Sequence, residues 1–167
     1  DVNLMDGKAK LELQRHYNIV SFSCLNDTFN VKVETTSGGN VYVFDNKYGT
    51  YQMAQGTYTM NDVPSGHPIA FHNSGKEDRL SYTGTSSGGT KTGLDGNTYT
   101  YYYGTITITV GGDFGTMSYE CYNHGYMGGE NNLVYNADCV ADSTPITPPS
   151  GGLTVDKTTI YAESGII

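Results

Sequence analysis

Hydrophobic and polar residues alternate with a period of two through the middle of the chain. Phe29, Val31 and Val33 share one phase and Asn30, Lys32 and Glu34 the other, which predicts a half-buried strand. Thr36-Ser37-Gly38-Gly39-Asn40 predicts a turn, with the short apolar strand Val41-Tyr42-Val43-Phe44 behind it. Residues 57–60 and 68–72 predict two more strands, separated by Asn61-Asp62-Val63-Pro64-Ser65-Gly66. Residues 79–83 predict another. The Ser/Gly/Thr-rich residues 84–96 predict a loop, whose end, Asp95-Gly96-Asn97, is a hairpin signal ahead of residues 98–103. In residues 105–110, Ile106, Ile108 and Val110 face inward and Thr105, Thr107 and Thr109 outward. Gly111-Gly112-Asp113 turns the chain into residues 116–121, and residues 132–135 close the sheet. No helix is expected, beyond a short turn within 45–54 or 76–81.

Many short, evenly spaced strands with Gly, Pro and Asn turns predict an all-β antiparallel sandwich or barrel over residues 28–136. Residues 1–27 carry two strand-like runs, 9–14 and 17–24, that pair at an edge or belong to a preceding module. Residues 137–152 are a Pro/Gly linker containing Thr144-Pro145-Ile146-Thr147-Pro148-Pro149-Ser150-Gly151-Gly152. Residues 153–167 resume a strand pattern. The chain starts at Asp1 with no signal peptide in view, which reads as part of something longer.

Composition agrees with strands and narrows the function classes. Of 167 residues, 22 are Gly, 15 are Tyr and 16% are charged, a balance that disfavours a helical bundle. Seventeen acids against nine bases give a net charge of −8, the wrong sign for a nucleic-acid-binding face. No stretch approaches the ~20 apolar residues of a membrane span. Three cysteines, Cys24, Cys121 and Cys139, are an odd number. Cys24 and Cys139 are either a disulfide at the domain edge or two buried thiols that act as small hydrophobes.

The candidate chemistry lies in Tyr119-Glu120-Cys121-Tyr122-Asn123-His124-Gly125-Tyr126-Met127-Gly128-Gly129, which has the spacing C-x2-H-x2-M on a tight Gly-bearing loop. Upstream stands Val63-Pro64-Ser65-Gly66-His67-Pro68-Ile69-Ala70-Phe71. Together they offer one thiolate, two imidazoles and one thioether, the donor set of a blue-copper site with a weak axial Met. Strand phase puts His67 inward with Ile69 and Phe71, and Cys121 inward with Met117 and Tyr119. His72 has the opposite phase and is expected to face out. Cysteine with two histidines also suits zinc.

These motifs resemble the cupredoxins, the family of plastocyanin, azurin and amicyanin, with the C-x2-H-x2-M loop similar to the short amicyanin form. The resemblance covers about residues 28–136. It implies a Greek-key β-sandwich and one type 1 copper held by His67, Cys121, His124 and Met127, with His124 as the outer ligand and electron port. One departure stands out. Cupredoxins place an Asn after the first His, bonded to a Ser or Thr after the Cys, and here those positions hold Pro68 and Tyr122. The two ligand loops are therefore expected to lack that tie.

Gly66-His67-Pro68, the Tyr-rich strand and the run from Cys121 to Gly129 resemble cupredoxin-like modules in structural proteins of marine tailed phages and large algal viruses. That likeness implies a copper-binding structural or surface module of a larger virion or extracellular assembly, partnered by other copies or subunits. The linker and the further strand favour this over a diffusible type 1 copper electron carrier. A metal-free structural or adhesion sandwich is the plainer alternative.

Other features read blandly. His16 and His72 are expected at the surface. Gly84-Thr85-Ser86-Ser87-Gly88 matches the hydrolase string G-x-S-x-G but lacks a strand-to-helix elbow, so it is coincidence. Asp62, Glu77, Asp78, Asp95 and Asp113 are scattered turn acids that form no catalytic pair, and no enzyme is expected. Residues 99–103, rich in Tyr, are expected to pack within a strand.

Overall fold

The computed structural model describes residues 22–139. Its strands, in chain order, are β1 (Phe22–Cys24), β2 (Thr28–Thr36), β3 (Gly39–Phe44), β4 (Thr50–Met53), β5 (Gly56–Val63) and β6 (Ile69–Phe71). They continue as β7 (Leu80–Thr92), β8 (Thr98–Val110), β9 (Thr116–Met117), β10 (Tyr119–Cys121) and β11 (Leu133–Tyr135). No helix occurs among the described residues, so none there is long and apolar enough to cross a membrane. Residues 1–21 and 140–167 lie outside the described residues, and with them the expected run 9–14, the start of the run 17–24, His16, most of the 137–152 linker and the strand pattern at 153–167.

The all-β expectation holds, but the pairing is mixed rather than purely antiparallel. One sheet runs β1-β4-β11-β9 and the other β10-β6-β8-β5-β2-β3, with β7 added on β8. Three ladders are parallel: β1 with β4, β11 with β4, and β2 with β5. Period-two alternation says which side chains share a face, but it carries no information about the direction of the neighbouring strand. One hydrophobic cluster draws on both sheets, including Phe29, Met60 and Ile106 from the larger and Tyr51, Met53 and Leu133 from the smaller.

β8 organises the larger sheet. Its residues 104–110 take β5 along one edge, Tyr102 on the same edge takes Ile69 of β6, and β7 runs along the opposite edge. The two predicted strands at 98–103 and 105–110 are thus one strand. Gly104, at φ 78°, sits where the edge passes from β5 to β6.

Three local expectations are corrected. Residues 84–92 are not loop but the second half of β7, with bulges between Gly84 and Ser86 and between Ser87 and Gly89. Their glycines make room for neighbours: a Cβ on Gly84 would stand 2.5 Å from the Tyr102 side chain, and one on Gly88 2.5 Å from Pro68. Residues 50–53 form β4, after a turn at Asp45 and Asn46 with φ 49° and 58°. Residues 116–121 are two strands split at Ser118, so the chain leaves the smaller sheet as β9 and enters the larger as β10. The G-x-S-x-G string lies inside β7, with no elbow.

Candidate metal centre

Two chain segments meet at one end of the β6–β10 ladder. Cys121 is the last residue of β10 and pairs with Ile69, the first of β6. His67 stands two positions before Ile69, in a turn closed by its own N–H donating to the Pro64 carbonyl at 2.9 Å. Beyond Cys121 the chain doubles back. The Cys121 N–H donates to Gly125 O at 2.7 Å and the Gly125 N–H to Cys121 O at 3.0 Å. Gly125 makes this loop possible: its φ is 67°, and a Cβ would stand 2.9 Å from Leu94. The loop returns His124 over the cysteine sulfur.

His67, Cys121 and His124 accordingly form a group able to hold a metal ion, with their donor atoms all within 4.8 Å of one another. Cys121 Sγ lies 3.7 Å from His67 Nδ1 and 3.5 Å from His124 Nδ1. With metal–sulfur about 2.3 Å and metal–nitrogen about 2.0 Å, a sulfur and a nitrogen sharing one ion stand roughly 3.5 Å apart at tetrahedral angles and about 3.7 Å at trigonal ones. The observed spacings fit. The two imidazole rings are 4.7 Å apart, and Cys121 is the one free cysteine among the described residues, buried while the other two are paired. His124 is exposed and His67 half-buried. Met127 is buried in the main core, and its carbonyl accepts from the Tyr42 N–H at 3.1 Å.

Burial, and after it the neighbouring His124, lowers the His67 pKa, which favours the neutral imidazole that a metal needs. Burial, and next to it Cys121, pushes the Tyr42 phenol far upward, so it remains a neutral hydrogen-bond donor.

The missing Asn–Ser/Thr tie is replaced by others. Asn123 Nδ2 donates to Gly66 O at 2.9 Å, and the Tyr122 N–H donates to Pro68 O at 2.9 Å. Lys91 Nζ reaches Tyr122 O at 2.7 Å, bracing the loop from β7. The ligand loops lack the Asn–Ser/Thr tie, as Pro68 and Tyr122 lead one to expect, and are joined by these other bonds instead.

The surface placement expected for His72 is corrected. Its side chain is 7% exposed and lies on the reverse face of the ladder, not in solvent. Nε2 is 3.2 Å from Glu120 Oε2, at an angle too oblique for a hydrogen bond, and Nδ1 is 3.6 Å from Asp95 Oδ2. The ring stacks on Tyr99 with centroids 5.0 Å apart. Glu120 in turn accepts from the Leu94 N–H at 3.1 Å and from the Tyr101 hydroxyl. The β7–β8 hairpin covers this face, so neither phase of β6 or β10 points to water. We expect His72→Ala to retain metal binding yet lower stability by about 0.5–3 kcal/mol, because the buried ring stacked on Tyr99 is lost. Metal titration beside denaturant unfolding checks both halves.

No protein-family model, curated protein or solved structure matches this chain. The reading of the centre therefore rests on its own donor set and geometry.

Proposed function

We propose that the chain is a copper-binding, cupredoxin-like Greek-key module, serving as a structural or surface part of a larger extracellular or virion assembly. The convergence of one buried thiol and two imidazole nitrogens carries this reading, with Met127 next along the same loop. A thiolate, two histidines and a methionine are the soft and borderline donors that favour copper over magnesium, calcium or manganese. Bound copper would supply a one-electron couple. The chain's own part is to fix Cys121 at a strand end, hold His67 neutral and keep the site dry on its inner side.

A structural role follows from which segments the donors occupy. His67 precedes β6 and Cys121 ends β10, so one ion would clamp a ladder edge that is only three residue pairs long. The Cys24–Cys139 disulfide suits an oxidising, extracellular setting. Electron transfer is the second reading, favoured by the exposure of His124 at the edge of the site. Neither role requires a catalytic residue, and we assign none.

Free copper at about 100 times its Kd adds about 2.7 kcal/mol to a protein that binds it only when folded, a rise on the order of 10 °C in Tm for this size. Elemental analysis should give one copper per chain. Absence of both the metal and the Tm shift would sink the reading, and a shift with zinc alone would replace copper by zinc. Fast self-exchange between Cu(I) and Cu(II) forms would select electron transfer, and a stoichiometric place in a particle the structural role.

A further inference from the structure

We propose that Tyr42 is the positioning residue of this centre, holding the Met127 segment through its backbone and the His67 segment through its phenol. The inference rests on the metal-centre reading above. Tyr42 lies on β3, the edge strand of the larger sheet, remote in sequence from every candidate donor. Its N–H turns to Met127 O at 3.1 Å. Its hydroxyl donates to His67 O at 2.8 Å, with Pro68 O at 3.4 Å. One residue thus ties together the segments of two of the four candidate donors, His67 and Met127.

The chain offers His67 little else. Its own N–H is committed to Pro64 O, and the following residue is Pro68, which has no N–H to give. Gly66 O and Pro68 O are held by Asn123 and by the Tyr122 N–H. The His67 carbonyl between them depends on the phenol. The Tyr42 ring is held independently, 3% exposed and edge-on to Tyr119 at 6.1 Å, so removing the oxygen leaves the ring in place.

Tyr42→Phe in the full chain tests this, with Tyr82→Phe as the matched loss of a phenol bonded to a carbonyl, Thr100 O at 3.0 Å. Outer partners of metal ligands typically set 10–100-fold in affinity. Tyr42→Phe is expected to weaken Cu(II) binding by about 10–100-fold and to move the thiolate-to-copper absorption band, while Tyr82→Phe does neither. In metal-free protein, amide exchange should quicken at residues 66, 67 and 69 in Tyr42→Phe only, while residues 124–128 keep wild-type rates because the Tyr42 N–H still reaches Met127 O. Wild-type affinity, band and exchange in Tyr42→Phe would overturn the proposal, as would the same losses in Tyr82→Phe. If wild-type protein binds no copper or zinc, the functional reading fails by itself, and the exchange pattern still decides whether the Tyr42 phenol holds the His67 segment.

Discussion

Cys121→Ala protein mixed with Cu(II) is expected to stay colourless, while the wild-type protein develops an intense visible charge-transfer band. The band needs a thiolate on the metal, and Cys121 is the one free cysteine among the described residues. Without it the centre keeps two imidazoles whose only common partner was the sulfur, at 3.7 and 3.5 Å. Affinity should fall by at least the roughly 100-fold that marks the upper range for outer partners alone, because a primary donor is gone. The fold should survive, since the change removes one buried atom and the Cys121 backbone bonds to Gly125 remain. Cys121→Ser separates size from softness: it keeps the volume, puts a hard oxygen in place of the sulfur and should also lose the band. An undiminished band in either variant would place the metal elsewhere and end the assignment.

How far the sequence discloses this centre depends on which kind of information each residue carries. Cys121 and His124 are legible because their spacing is local and Gly125 permits the tight loop between them. His67 is legible through phase, being two positions before Ile69 on the same side. His72 is not, because phase separates two faces of a strand without saying whether both are covered. The β7–β8 hairpin covers the second face with Tyr99, Asp95 and Leu94, and its own first strand is hidden by composition. Ser, Gly and Thr at 84–92 resemble a loop until Tyr102 and Pro68 are seen packed against Gly84 and Gly88. Strand propensity here is decided by a partner rather than by the residues themselves. The parallel ladders and the Tyr42 bonds are of the same kind, joining residues whose proximity no local pattern encodes.

That hidden hairpin changes the physical picture of the site. It braces the ligand loops from behind, through Gly88 against Pro68, Lys91 on the Tyr122 carbonyl and Leu94 on Glu120. Tyr42 and the core brace them from the front. A preformed cluster of donors needs such support, since a loop that moves by even an ångström separates three atoms that would have to meet one ion. The convergence of one cysteine and two histidines is therefore a property of the whole larger sheet, and the short C-x2-H-x2-M string supplies only part of it.

The Cys24–Cys139 disulfide should carry the largest single share of stability outside the core. The sequence leaves a bridge or two free thiols open, and the structure joins them, with Cα atoms 5.4 Å apart and 115 residues of separation. Closing a loop of about 100 residues removes enough unfolded-state entropy for about 4.7 kcal/mol in the chain-entropy picture, and measured losses for native bridges run about 2–5 kcal/mol. The bond joins the two flanks of β4, since β1 pairs with one edge of that strand and β11 with the other. β1 has only three residues, and the buried Leu25 behind it is held by one backbone bond to Gln52 at 2.9 Å. Cys24→Ala with Cys139→Ala is therefore expected to lose about 2–5 kcal/mol in denaturant unfolding, with exchange quickening first at residues 22–25. Copper affinity should stay near wild type under native conditions, because neither cysteine belongs to the ladder that carries His67 and Cys121. A double variant as stable as the parent would mean that β4 and Leu25 already hold both ends, and that the bond constrains little of the unfolded chain.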